Sequence, residues 1–411
     1  MPDCTLIARF ADVRDMLQMP KIYTVDLYKP KMSVTGLGNG FLMAHDDDAL
    51  HYREKSLMQG LLNRDDLPWV RKLVAETAKQ ILSHADREID LVNKYCRMVP
   101  VYLVQEHFGL DGVGRKDLIR WSYWNQYDAF NNQPFDRDFD KNPDSDYSKI
   151  VRMHDKASQE LGVYIALLMV RKLIRLKFMN VFYMVLNPIQ KLIYRLLGMT
   201  PPKCYDVMVT RMLRSKFAEQ VDFPLTRVGV NAGGLLIGAI ETTSQAVAQV
   251  VEYFIDRPDL LREAKDKAGK DDTTAFDAMV WEALRFVPIR PDIFRQASTD
   301  YTIVKGTEHE MKTKAGIIVR LLTHSAMFDP NAYENPDQFN PDRNFYHNFI
   351  LGYGPHQCLG KHIAMEMVPE MVRQIVVLND LTSQGEISYV NKEFFPGREG
   401  PFPEFYQVSW S

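Results

Sequence analysis

The sequence predicts a mainly α-helical fold with a small β-sheet region at one side. Three observations predict it. An apolar pattern runs from about Pro224 to Asp256, roughly 50 Å at the α-helical rise, long enough to cross a core. Helix-length patterns recur over 66–110, 148–199 and 205–217 and again after Cys358. Strand-like runs, by contrast, are short: one near residue 5, one leading to Arg295, and Ile317–Leu322 behind a turn at Gly316.

Composition narrows the class of protein. The chain has 411 residues with no clear linker or repeat, so a single domain over 1–411 is expected. It is 46% hydrophobic and 25% charged, near globular averages, and its formal net charge of -3 gives no reason to expect nucleic acid as a partner. Cys4, Cys96, Cys204 and Cys358 are far apart and make no disulfide framework, which fits a reducing cytoplasm. The first residues lack a basic flank with a long apolar run, so no signal peptide is expected. No stretch reaches about 18 uninterrupted apolar residues, so no spanning helix is expected either.

The elements follow in order. Residues 5–25 read as a short strand and then a helix, Phe10–Leu17; little chain precedes them, so the sheet edge there is short or completed by another chain or domain. Residues 20–47 are irregular, with Leu27, Tyr28, Met32, Phe41, Leu42 and Met43 as apolar points. Asp46–Asp48 offer N-cap and first-turn carboxylates to a helix carrying His51 and Lys55 four apart on one face. That pair reads equally as a solvated basic helix face. Trp121, Tyr123, Trp124, Tyr127 and Phe130 suit either a pocket roof or ordinary core packing, and residues 131–147 read as a loop.

From 161 to 205 the chain has seven Lys or Arg and no acidic residue, interleaved with large apolar side chains. Asn187-Pro188 splits this stretch into two expected helices. A basic amphipathic pair fits an interfacial membrane contact or a partner chain.

The 224–256 helix contains Gly233, Gly234 and Gly238, which weaken it and leave room for something flat to lie close. Beside them, Glu241 and Thr242 put a carboxylate and a hydroxyl in an apolar stretch, which is costly unless they are used or hydrogen-bonded. The bland alternative has Thr242 bonding its own helix carbonyl. Glu282 and Arg285 are an i,i+3 pair in an apolar setting that argues for burial. Pro369 is expected to kink or interrupt the last helix. The aromatic tail from Phe394 to Trp410 is expected to form turns and hairpin edges, its tip reaching toward a pocket.

The most specific stretch is Phe349-Ile-Leu-Gly352-Tyr-Gly354-Pro-His356-Gln-Cys358-Leu-Gly360. Its glycines permit tight turns and close approach to a flat partner, and Cys358 falls just before a helical pattern, where the helix N-terminus favours a thiolate. One Cys with no second Cys nearby argues against zinc or iron–sulfur, whereas a haem iron needs one protein ligand on its proximal side; a buried structural Cys is the plain alternative.

This loop resembles the haem-thiolate loop of the cytochrome P450 family, and weaker matches run in the family's order from Phe10 to Gly360. The resemblance implies the cytochrome P450 fold and haem b as cofactor, with Cys358 as axial iron ligand. It implies His356, Arg295, His51 and Lys55 toward the haem propionates, and Gly238 and Gly352 against the haem. Thr242 would hydrogen-bond dioxygen and Glu241 would relay protons. Glu282, Arg285 and Arg343, the last in Pro336-Asp-Gln-Phe339-Asn-Pro341-Asp-Arg343, would form a buried structural network. The chain departs from the family in Leu351, where a Phe is usual, in Lys55 for Arg, and in the 161–205 stretch, which looks like an insertion.

The implied activity is a monooxygenase that inserts one oxygen atom from O2 into a C–H or C=C bond of a small apolar substrate. Electrons would come from a separate ferredoxin or flavoprotein reductase. The alternatives are a haem-thiolate peroxygenase or hydroperoxide-rearranging enzyme, or a non-catalytic haem-binding partner subunit.

Overall fold

The computed structural model describes residues 4–32, 40–46, 48–133, 146–196, 206–215 and 223–411, with the backbone alone over 179–196. Gly36, Gly38, most of the 131–147 loop and the 197–205 end of the basic stretch lie outside the described residues.

The chain opens with β1 (Cys4–Ile7), α1 (Phe10–Leu17) and β2 (Tyr23–Thr24), then runs through α2 (Ala49–Leu61), α3 (Leu67–Ser83) and β3 (Glu88–Asp90). A helical run with wider π-type turns at both ends contains α4 (Met98–Leu103). After it come α5 (Arg115–Asn131), α6 (Asp146–Leu196), α7 (Met208–Ser215), α8 (Leu225–Ala239), α9 (Glu241–Ile255), α10 (Pro258–Ala268) and α11 (Thr274–Phe286). Strands β4 (Ile293–Ala297), β5 (Tyr301–Ile303), β6 (Met311–Thr313) and β7 (Ile318–Leu321) lead to α12 (Thr323–Ala326), α13 (Lys361–Val376), β8 (Thr382–Ser383) and β9 (Gln407–Ser409).

The helices pack round one large apolar cluster, with α13 against α3, α9 and α11, and α5 against α6 and α8. The sheets are small. The largest has the order β1-β7-β4-β2, with β1 parallel to β7 and β4 antiparallel to it, so that Arg295 pairs with Val319. A second cluster joins this sheet to the loop before α13: Phe10 packs on Phe349 at 4.7 Å between ring centroids, and the Phe10 N–H donates to Asp329 Oδ2 at 2.9 Å.

Gly354 sits where this cluster meets the loop. Its φ is +66°, and a Cβ there would lie 2.6 Å from the Leu17 carbonyl oxygen at the end of α1. Gly354→Ala therefore combines left-handed strain with a backbone collision. Chemical denaturation should show a loss of about 2 kcal/mol or more; an unchanged midpoint would mean the loop and α1 do not approach in this way.

Three expectations about helices change. The backbone stays helical from Asp146 to Leu196, through Asn187 and Pro188, so there is one helix of 51 residues and not two. Proline removes one donor, and a helix with many other turns can continue through the loss. Likewise α13 is not interrupted at Pro369, and it packs on four neighbouring helices, α3, α9, α10 and α11. The 224–256 pattern is instead two helices, parted at Ile240. The 66–110 region also contains β3, which pairs with β9 from the far end of the chain, a contact no local pattern announces.

Candidate active site

The loop 349–360 is held by its own backbone. The Cys358 N–H donates to the Leu351 carbonyl at 2.8 Å, and the Gly352 and Gln357 N–H groups donate to Phe349 and Gly354 carbonyls. Left-handed φ values at Gly352 and Gly354 close the turn. Cys358 ends up in the wall of a cavity of about 390 Å³. Other walls come from Gly234, Gly238, Thr242 and Ala246 of α8 and α9, from Ile363 and Met367 of α13, and from Met32, Phe41 and Leu42 near the chain start.

Burial pushes the Cys358 thiol up. A hydrogen bond from the Gly360 N–H and the Lys55 and Lys361 ammonium charges act the other way but do not reverse it. The helix α13 begins at Lys361, three residues past Cys358. Coordination to a metal would deprotonate the sulfur regardless.

The break at Ile240 lies at the cavity. The Thr242 hydroxyl donates to the Gly238 carbonyl at 2.6 Å, the back-bonding that bends helices. A Cβ on Gly238 would have no atom within 4 Å, so this turn of α8 faces open space. On Gly234 it would collide with the Phe41 ring at 2.5 Å.

Two nitrogen-bearing side chains, Arg295 and His356, reach the same cavity with few partners. Arg295 is buried, with a hydrogen bond from Nη1 to the Phe294 carbonyl and no ion pair among the described residues; burial lowers its pKa. His356 has no hydrogen bond at either ring nitrogen, although its Nε2 lies 3.5 Å from Asp46 Oδ1, an ion-pair separation too long for a good hydrogen bond. Burial lowers the His356 pKa to about 4, with Asp46 opposing.

These residues fit a haem. There is a single cysteine in a largely apolar slot, a helix face without a Cβ, a buried Arg295 whose Nη1 bonds the Phe294 carbonyl, and a His356 ring without a hydrogen bond at either nitrogen, both of which carboxylate-bearing edges would complement. Among the described residues no group of three or more His, Cys, Asp or Glu could hold a bare metal ion.

Other predicted residues lie outside the cavity wall. His51 Nδ1 and Nε2 are 2.9 and 3.2 Å from the Leu42 and Pro355 carbonyl oxygens. Lys55 Nζ donates to the Pro355 carbonyl and, at 2.9 Å, to that of Gln357; burial lowers its pKa to about 8, with Cys358 opposing. Both side chains support the loop from beneath. The Asp48 cap of their helix is present, its carboxylate accepting from the His51 N–H at 2.6 Å.

Glu241 turns away from the cavity into an ion pair with Arg97 at 3.0 Å, and both are buried. Arg97 also meets Glu404 at 3.3 Å, and the Tyr123 hydroxyl donates to Glu404 at 2.6 Å. Burial raises the Glu241 pKa, opposed by Arg97. Sequence reasoning missed Arg97 and Glu404; a lone Arg in the apolar run Tyr95-Cys-Arg-Met-Val-Pro-Val was the available signal.

The aromatic tail does not line the cavity. Phe394 and Phe402 pack on Trp124 and Tyr127 at 4.9 and 5.7 Å, and from this helix Gln126 and Phe130 reach the cavity. A second missed network, Arg227–Glu54 at 2.6 Å with Asn231, holds the chain over the cavity: Asn231 Nδ2 donates to Glu54, and Asn231 Oδ1 accepts from the Leu42 N–H.

Glu282, Arg285 and Arg343 come together as the family resemblance implied. Arg285 Nη2 is 2.8 Å and Arg343 Nε 3.3 Å from Glu282 Oε1, which also accepts from the Asn340 N–H.

A helical frame with one cavity-facing cysteine, and a buried arginine and a histidine beside it, fits a haem-thiolate protein. The chain belongs to the cytochrome P450 family: the family model "Cytochrome P450" matches residues 127–377. The family's cofactor is haem b.

Relatives include "Luvungin A synthase CYP716AC1" of Citrus sinensis, 27% identical over 40% of this chain, and "Cytochrome P450 NovI" of Streptomyces niveus, 28% identical over 41%. The chain spans 38% and 39% of the length of these two relatives. Solved structures of similar fold include the haem domain of Acinetobacter radioresistens CYP116B5 (TM-score 0.74, 17% identity, 99% of this chain and 89% of that one). Another is P450BioI, solved with an acyl carrier protein (TM-score 0.75, 16% identity, 99% and 92%).

Proposed function

We propose that this chain is a haem-thiolate monooxygenase, inserting one oxygen atom from O2 into a C–H or C=C bond of a small apolar substrate. A separate ferredoxin or flavoprotein reductase supplies the electrons. Haem, when bound, supplies the oxidising chemistry. The observation that carries the reading is the cavity itself, with Cys358 in one wall, Thr242 in another, and apolar side chains over the rest.

The residues divide the work. Cys358 ligates and donates electron density. Arg295 and His356 would orient the haem by its propionates, with His51 and Lys55 acting through the loop. Gly238 and Gly352 leave room for the ring. Met32, Phe41, Leu42 and Phe130 orient the substrate and exclude water. The Thr242 hydroxyl would turn from the Gly238 carbonyl to hold its proton toward the cavity, and Glu241 would resupply it by leaving Arg97. The chain acts as one domain, in the cytoplasm.

The test is turnover with a reduced ferredoxin system and ¹⁸O2. Label should appear in the product of an apolar substrate that shifts the spin state; unlabelled product, or none across a substrate panel, overturns the reading.

One observation favours a rival. Glu241 is committed to Arg97 and the Thr242 hydroxyl to Gly238, which suits a peroxide-driven enzyme needing no proton delivery. Thr242→Ala decides between them. Under the monooxygenase reading, product formation with O2 and reductant falls about a hundredfold while peroxide-driven turnover persists. Peroxide-driven turnover that Thr242→Ala leaves unchanged, with no turnover on O2 and reductant even in the unsubstituted chain, would favour the rival.

A further inference from the structure

The outward face of α6 changes character along its length. In its early turns Arg152, Asp155, Lys156 and Gln159 are exposed, an ordinary solvated surface. From there the exposed large side chains are Val163, Leu167, Val170, Ile174 and Phe178, at 59, 66, 54, 52 and 73% accessibility. Their steps of three and four residues align them in one stripe. The opposite face is already occupied by the core, with Leu161, Ile165, Leu168 and Leu176 buried. This part of the helix is therefore apolar on both sides, which water does not favour for a surface helix.

On α6 itself the charges beside the stripe from Leu161 onward have one sign, while Glu160 just before it pairs with Arg120 and Asp111 pairs with Arg171 and Lys172. Helical geometry puts Arg171 and Arg175 along one border and Lys177 on the other side. All three are exposed, and Arg171 is anchored to Asp111. No acidic residue occurs from Leu161 to Tyr205, and the backbone stays helical to Leu196.

We propose that this stripe docks on an anionic lipid surface. Val163, Leu167, Val170, Ile174 and Phe178 enter the headgroup–acyl boundary, while Arg175 and Lys177 extend to lipid phosphates along their apolar stems. Like charges bordering the stripe oppose its pairing with a second copy of itself, whereas they complement an anionic bilayer. Among the described residues no helix is long and apolar enough to cross a membrane, so the contact lies in the plane of the interface. The inference stands apart from the oxidation chemistry: it uses none of the cavity residues.

Sedimentation of the haem-loaded full chain with lipid vesicles tests it. The protein should pellet with phosphatidylcholine–phosphatidylglycerol vesicles and weakly or not at all with phosphatidylcholine alone. Raising salt from about 0.1 to 1 M should reduce binding as screening shortens from about 10 to 3 Å. The triple variant Leu167→Ser, Ile174→Ser, Phe178→Ser should lose binding. Arg175→Gln with Lys177→Gln should weaken it about tenfold on anionic vesicles only. All five positions are exposed, and circular dichroism with the haem spectrum verifies that each variant is folded.

No pelleting with either vesicle would overturn the proposal, as would equal binding by the triple variant or equal binding to both lipids. A lipid-free dimer abolished by the triple variant would also overturn it, and would assign the stripe to contact between copies.

Discussion

Cys358→Ser should abolish the thiolate signature in the carbon monoxide spectrum of the reduced protein and bring turnover to background, while leaving the fold in place. The side chains are nearly the same size, and the loop is held by bonds that do not involve the sulfur: the residue 358 N–H to the Leu351 carbonyl, the turns at Gly352 and Gly354, and Lys55 on two loop carbonyls. What changes is the ligand. A serine hydroxyl stays protonated where a cysteine, once coordinated, does not, and it donates far less electron density. Thermal unfolding of the haem-free chains should be nearly unchanged between the two. The result that would sink the assignment is a Ser variant with the wild-type spectrum and turnover.

Glu282→Ala should destabilise the chain by about 3–5 kcal/mol, a large part of a typical folding free energy of about 5–15 kcal/mol. The glutamate is buried and compensates two arginines; without it the Arg285 guanidinium stays in the core with only the Met327 and Gln338 carbonyls as acceptors, each at 3.2 Å. Its stacking over Phe328, 4.4 Å from the ring centroid, cannot replace a carboxylate. The loss should also reach the haem loop. Arg285 fixes Met327, and Met327 Sδ accepts from the Phe349 N–H at 3.4 Å at the start of that loop. Weaker haem retention should therefore accompany the lower urea midpoint. A midpoint shift worth under about 0.5 kcal/mol would place the network among dispensable surface pairs.

Much of the site was legible because local physics demands particular residues there. A tight loop beside a flat group calls for glycine, and soft ligation by one side chain calls for a cysteine, so Gly352, Gly354 and Cys358 stand out along the chain. The positions of Thr242 and Gly238 follow from a helix pattern with a polar pair inside it. Less legible were residues whose partners are distant. Arg97 meets Glu404 across more than three hundred residues, and Arg227 meets Glu54 across 173. A buried charge is visible in a sequence as an anomaly; its partner is not.

Helix continuity divides in the same way. Prolines at 188 and 369 suggested breaks, yet packing and length carry the helices through them, while the actual break at Ile240 has no proline. The aromatic residues of α5 read equally as pocket or core, and the tail decided for most of them by packing Phe394, Phe395 and Phe402 there.

The sequence by itself determined the class of fold and marked the loop around Cys358, because backbone conformation and ligand chemistry are properties of short stretches. Only the tertiary structure decided which charges are paired, that Glu241 faces Arg97 and not the cavity, and that α6 turns Val163, Leu167, Val170, Ile174 and Phe178 outward. Those outcomes depend on what each surface meets, and desolvation and ion pairing act between segments that the chain order keeps far apart.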